Sequence, residues 1–236
     1  MGALGRVRGT GRSRPVTRVL VIAPHPDDEV IGCGGSIAKL AQSGAEVTVV
    51  IVIRRERGLA DREVGDEEFA AETTDACRVL GVKRCITLDE PSRDFAADRR
   101  LHLAVVKVLR EVRPDRVYLP HRDDGDVEHR AVHRLGLESL WMAESDFFEE
   151  AGPPAPPPSL VLGYEVWAPL GEAQYTEDVT DQIELKVEAM RCYRSQLRHA
   201  AWDEAVRGLA SYRAVTSAGH GHSEAFEVIR MAGARP

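Results

Sequence analysis

The chain has 236 residues, enough to bury one good-sized hydrophobic core without disulfides or a structural metal as staples. Apolar residues at 43% and charged residues at 29% exclude global disorder. A net charge of −7 argues against a protein whose main task is to grip nucleic acid or an anionic membrane.

Residues 1–16 carry Arg6, Arg8, Arg12 and Arg14 with no long apolar stretch behind them. They read as a flexible basic tail, not a secretory signal, ahead of a single domain over 17–236. The strongest apolar segment, residues 47–53, is far too short to span a bilayer. Cys33, Cys77, Cys85 and Cys192 form no C-x-x-C pair. They read as reduced thiols of a cytoplasmic protein rather than as a zinc knuckle or disulfide framework.

Residues 18–23 form a short β-branched run closed by Pro24, the pattern of a buried strand. A polar turn follows, then a helix over 31–42, opened by Gly32-Cys-Gly-Gly-Ser36 and stopped by Gly44. Residues 46–53 are a second buried strand. The alternation continues with a helix over 67–80, a strand over 84–88, a helix over 97–112 and a strand over 116–119. A charged loop over 121–127 leads into a helix from about 128 to 143. Five prolines between 151 and 158 prohibit helix and central strand, so this stretch reads as a surface connection. A strand over 160–168, helices over 183–197 and 202–209, and a short last strand over 225–229 complete the chain. Strands alternating with helices predict an α/β fold, a mainly parallel, doubly wound sheet between two helical layers.

Ligands of such sheets bind at the carboxyl ends of the strands. Two loops predicted there are rich in histidine and carboxylate. One is Pro24-His25-Pro26-Asp27-Asp28-Glu29; the other runs from His121 to His129. A catalytic zinc takes three ligands from His, Asp or Glu and leaves a fourth position open. His25 and Asp28, three apart in one tight loop, can face one point, and His129 supplies a third ligand. Asp27 is then free to take a proton from water that the metal has made acidic. Two histidines and one carboxylate also admit iron, nickel or cobalt. The plainer alternative is turn chemistry, with Asp28 merely capping the following helix.

Other features admit two readings each. Gly34-Gly35 fits a phosphate cradle or close packing of helix on sheet; it lacks the G-x-G-x-x-G spacing, which favours packing. The paired acids are shared with magnesium-binding receiver domains, but those are far shorter and have no use for His25 and His129. His220 and His222, on a glycine-rich loop, are metal ligands, substrate contacts or simply solvent-exposed.

These residues resemble the LmbE-like, or PIG-L, family of zinc-dependent N-deacetylases. Residues 24–36 are very close to its first motif. Glu72 with Leu80-Gly81-Val82, Arg113-Pro-Asp115, His129-Arg-Ala-Val132, Tyr193-Arg-Ser-Gln196 and Glu224-Ala-Phe226 are similar to later ones. The resemblance spans about 18–230. It implies a Rossmann-like α/β sandwich, zinc held by His25, Asp28 and His129, and Asp27 as general base. It further implies removal of an acetyl group from an N-acetylglucosamine-containing small molecule, whether glycoside, glycolipid or antibiotic precursor. Members often form homo-oligomers.

One departure stands out. Where many members have a histidine that stabilises the oxyanion, this chain has Asp126, which cannot donate unless protonated. His222, His121 or Arg122 would take over, or the zinc alone. Glu128 is expected to orient a ligand. His133, four residues after His129, is a rival ligand, although packing explains it better. Arg54, Arg55 and Arg93 are candidates for holding sugar hydroxyls or a phosphate, or for surface ion pairs. Three alternatives remain: an amidase cutting a larger sugar conjugate, a metal-retaining but silent sugar-binding protein, and a nucleotide-binding Rossmann protein. The proline-rich connection and the altered second motif suggest a specialised member serving a natural-product pathway.

Overall fold

A computed structural model describes residues 16–54 and 65–232; the expected basic tail up to residue 15, and Arg55, lie outside them. Strands β1 (Arg18–Ala23), β2 (Glu46–Ile53), β3 (Arg84–Glu90), β4 (Arg116–Pro120) and β5 (Leu160–Tyr164) are parallel. β7 (Ser223–Met231) runs antiparallel to β5 and to the edge strand β6 (Tyr175–Asp178). The sheet order is β3-β2-β1-β4-β5-β7-β6. The helices are α1 (Asp28–Gln42), α2 (Asp66–Leu80), α3 (Arg99–Val112), α4 (Val127–Glu144), α5 (Ile183–Cys192), α6 (Arg194–Leu197) and α7 (Trp202–Ser217).

The apolar run of β1 divides between two cores. Val19, Val21 and Ala23 pack with α1, α2 and α5, while Leu20 and Ile22 pack with α3 and α4. A strand covered on both faces has no polar side to show, which is why the sequence of β1 and β2 is continuously hydrophobic. The chain leaves β1 for β2 on one side and returns to β4 on the other. The strand order therefore reverses between β1 and β4, and a crevice opens beyond their carboxyl ends.

Helix α1 is broken where it meets the sheet. Cys33 has φ −146° and ψ 25°, outside the helical region, so the helix restarts after it. The restarted turn has orphan N–H groups. Gly35 N and Ser36 N donate to the Glu224 carboxylate at 2.8 Å each. Lys186 Nζ bonds Glu224 Oε1 at 2.6 Å and the Ile31 carbonyl at 2.9 Å. Thus the Gly34-Gly35 turn does bind an anion, but the anion is the chain's own glutamate, neutralised by its own lysine. That removes the phosphate-cradle basis of the nucleotide reading. Close approach explains the glycines: a Cβ on Gly32 would lie 2.1 Å from the Tyr164 ring, and one on Gly35 2.7 Å from Val179.

Two arginines hold the segment from the end of α4 into the proline-rich connection, Arg113 donating to the Pro154 carbonyl at 3.1 Å. Buried Arg110 of α3 donates to the carbonyls of Met142, Ala143, Ser145, Phe147, Phe148 and Gly152. It satisfies the carboxyl end of α4, whose own last turn has no cation.

Several boundaries differ from expectation. β5 stops at Tyr164, because residues 165–170 turn away to make polar contacts described below. The helix from 183 breaks at Tyr193, whose ψ of 62° is not helical. α7 runs on to Ser217 rather than ending near 209. β6 was not expected at all: four residues, Tyr-Thr-Glu-Asp, give an edge strand no apolar run. Among the described residues, no helix is long and apolar enough to cross a membrane.

Breaking the buried Lys186–Glu224 pair should be costly, since it strands a buried ammonium and the orphan amides together. Glu224→Gln is expected to lower the unfolding free energy by about 3–5 kcal/mol. Denaturant titration measures this, and a loss below about 1 kcal/mol would show that the pair does not hold the kink.

Candidate metal centre

The loop after β1 turns sharply at Asp27, which takes φ 98°, a left-handed conformation that costs a non-glycine residue roughly 1–3 kcal/mol. The turn places the Asp27 carbonyl where Val30 N and Ile31 N donate to it, both at 2.9 Å, and starts α1. Asp28 does not cap that helix. Its Oδ2 instead accepts from His25 N at 2.8 Å and faces His25 Nδ1 at 3.2 Å. The competing capping explanation of this aspartate is therefore set aside.

On the second loop, Asp126 caps α4 by accepting from Glu128 N at 2.7 Å. That fixes Glu128 and His129 in the first turn of α4, at the carboxyl end of β4. His129 Nε2 lies 3.2 Å from Asp28 Oδ2 and 3.3 Å from His25 Nδ1. The three atoms form a nearly equilateral triangle. A tetrahedral ion with bonds of about 2.1 Å sets its ligand atoms about 3.4 Å apart, so the donor set fits such an ion and leaves one vertex open. Among the described residues, His25, Asp28 and His129 are the group that could hold a metal.

The other nitrogen of each histidine faces a carboxylate. His25 Nε2 lies 2.8 Å from Glu128 Oε2. Facing a carboxylate, Nε2 carries the proton and Nδ1 keeps its lone pair for the triangle. Glu128 is itself held by Ser92 Oγ at 3.2 Å and by Arg93 N. His129 Nδ1 faces Asp124 Oδ1 at 3.3 Å, while Asp124 accepts from Asp126 N at 2.9 Å and Trp167 N at 3.0 Å. Burial pulls His129 down, but Asp28 and Asp124 push it up to about 10. Burial likewise opposes a raised His25, and Asp28 and Glu128 win. Asp28 is buried too, yet the two histidines hold its carboxyl well below the usual carboxylate range.

Behind the loop lies a layer of buried acids. Burial pushes Glu29 up to about 7, against the pull of the Tyr193 hydroxyl, which donates to it at 2.6 Å. The other Glu29 oxygen accepts from Asp27 N at 3.1 Å. Ser195 donates to Glu72 through both its amide, at 2.9 Å, and its hydroxyl. The Tyr193-Arg-Ser-Gln196 motif thus braces the first loop and α2 from behind.

The remaining expected residues fall elsewhere. Both ring nitrogens of His121 are used: Nε2 donates to Ala168 O at 2.8 Å and Nδ1 accepts from Asp123 N at 3.2 Å. Arg122 pairs with Glu227. Asp126 caps α4 and binds the Arg93 guanidinium at 3.0 Å; burial is outweighed by Arg93 and the Glu128 amide, which keep it ionised. As an anion in these bonds it has no proton for an oxyanion. His222 bonds through its backbone to Val179 and Thr180 at the start of β7, and neighbouring His220 is exposed. Arg54 pairs loosely with Asp89 at 3.8 Å. His133 Nδ1 donates to the Pro120 carbonyl at 2.8 Å, a packed histidine whose pKa burial lowers. Asp124 and Glu29 were not singled out from the sequence. Asp124 sits among Asp123 and Asp126, and residue type alone does not say which of the three turns inward.

Comparisons with known proteins bear on the family. A family model described as GlcNAc-PI de-N-acetylase, PIG-L, matches residues 20–140. The diacetylchitobiose deacetylase of Thermococcus kodakarensis is 31% identical over 231 residues, covering 91% of this chain and 84% of the relative. The crystal structure of N,N'-diacetylchitobiose deacetylase from Pyrococcus horikoshii superposes with a TM-score of 0.80 at 29% identity, over 91% of this chain and 84% of that one. A 4-carboxy-2-hydroxymuconate hydratase from Pseudomonas putida superposes with a TM-score of 0.81 at only 20% identity, over 94% of this chain and 99% of that one. That likeness is one of fold, and fold alone does not fix a reaction. With a family model spanning just over half of the chain and a relative at 31% identity along nearly all of it, the chain belongs to the PIG-L, or LmbE-like, family of de-N-acetylases.

Proposed function

We propose that this protein is a zinc-dependent hydrolase that removes the acetyl group from an N-acetylglucosamine unit of a small molecule. The triangle of His25 Nδ1, Asp28 Oδ2 and His129 Nε2 carries the reading, with His25 Nε2 held by Glu128 and His129 Nδ1 facing Asp124 at 3.3 Å. A zinc ion held there supplies a Lewis acid, which polarises an amide carbonyl and makes water more acidic. Fe2+, Ni2+ or Co2+ suit the same donors.

The chain's own groups do the rest. Asp27, adjacent to ligand Asp28 and held in a strained turn, takes the proton from the attacking water. The same carboxyl group returns that proton to the sugar nitrogen as the C–N bond breaks, giving acetate and an amine. Glu128 and Asp124 hold the two imidazoles in the tautomers that bind metal. Asp126 acts as a helix cap and as the anchor of Arg93, which places a cation beside the cluster. Its guanidinium, at 3.0 Å from Asp126 and 3.6 Å from Glu128, suits a hydroxyl or the developing negative oxygen of the substrate. The likeness to a diacetylchitobiose deacetylase supports an amino-sugar substrate.

Asp27→Asn is expected to keep the metal and lose about 10²- to 10⁴-fold in kcat for acetate release. Turnover equal to wild type would sink the assignment of Asp27 as base. Asp124→Asn should weaken metal binding about 10- to 100-fold, read by competition with a chromogenic chelator. Unchanged affinity would mean that Asp124 does not orient His129.

A further inference from the structure

The loop after β5, residues 165–170, is fastened along its whole length. Trp167 N donates to Asp124 Oδ2 at 3.0 Å, on the same carboxylate that faces His129. Ala168 O accepts from the His121 ring at 2.8 Å. Leu170 N donates to buried Glu165, and buried Arg213 clamps both Glu165 and Leu170 O, the latter at 2.8 Å. Gly125 of the second loop lies beside it, with room for a Cβ in ordinary contact at 3.5 Å from Trp167 Cβ. Yet the Trp167 residue is 55% exposed.

A half-exposed indole on a floppy loop would mean little. On a loop anchored by buried polar bonds, it is a large rigid ring held out into water. Trp202, the first residue of α7, meets it edge to face, with centroids 5.3 Å apart and planes at 83°. With that contact made, more than half of Trp167 still faces solvent. The position is specific as well. β5 lies beside β4, so the loops carrying His25, His129 and Trp167 share one rim of the sheet. A pyranose has a face of axial C–H groups that stacks on such a ring without needing charge.

We propose that Trp167, steadied by Trp202, is a stacking platform for a second, neutral sugar ring joined to the acetylated glucosamine. The substrate would then be an N-acetylated disaccharide or longer glycoside rather than the free monosaccharide. This rests on the deacetylase reading and extends it to the ring next to the reacting one.

The test compares acetate release from N-acetylglucosamine and from N,N'-diacetylchitobiose by the metal-loaded full chain. Trp167→Leu should raise KM for the disaccharide about 3- to 10-fold, with its kcat and the monosaccharide kinetics unchanged. Trp167→Tyr, which keeps a ring, should stay near wild type. An unchanged disaccharide KM in Trp167→Leu, or equal losses on both sugars, overturns the platform. Tryptophan emission gives a readout independent of turnover: diacetylchitobiose should quench or shift it in wild type and not in Trp167→Leu. If wild type releases no acetate but the emission responds in this way, the platform stands and the deacetylase reading falls. If diacetylchitobiose leaves wild-type emission unchanged, the platform falls.

Discussion

Three electron-rich atoms meet inside this protein without a donor between them. Glu128 accepts from His25 Nε2, and Asp124 faces His129 Nδ1, so each neutral imidazole can turn a lone pair toward the Asp28 carboxylate. At separations of 3.2 to 3.3 Å this arrangement repels itself unless positive charge sits at its centre. Burial opposes charge on both histidines, yet the surrounding carboxylates raise both above their ordinary values. A divalent ion meets the same requirement with an open position to spare. Folding brings the three atoms together because β1 and β4 are neighbours on the sheet although His25 and His129 are far apart in sequence.

Holding a repulsive cluster in place requires rigid walls. Much of the C-terminal half of the chain provides them. Tyr193 and Ser195 bond Glu29 and Glu72 behind the first loop. Glu224, at the start of β7, plugs the broken turn of α1, with Lys186 as counter-ion. A buried acid that accepts amide N–H groups and faces a lysine is a satisfied group rather than a liability. The kink at Cys33 and the strained backbone at Asp27 are local costs that the surrounding bonds offset, which is common where a site demands a geometry the chain does not prefer.

How much of this was legible in the sequence follows from the range of the forces involved. The continuous apolar strands of β1 and β2, the glycine stops and the His25-to-Glu29 turn are local patterns, and each led to the right element and edge. His25, Asp28 and His129 were legible as candidate ligands because residue type and loop position suffice to nominate them, and the fold brings the three together. What escaped depended on contacts between distant segments. β6 is polar and exists only because β7 offers an edge. The break at Tyr193 arises as its hydroxyl reaches Glu29. Asp124 is distinguished from its acidic neighbours only by turning inward to His129 and Trp167 N. Asp126, conspicuous as a departure from the usual histidine, turns out to be a helix cap paired with Arg93.

The three-atom cluster is expected to bind one divalent ion. Calorimetric titration of Zn2+ into chelator-stripped protein tests it most directly. Saturation at one ion per chain is expected, and it should be lost when His129 is replaced by alanine. No saturable binding, or binding that His129→Ala leaves unchanged, would contradict it.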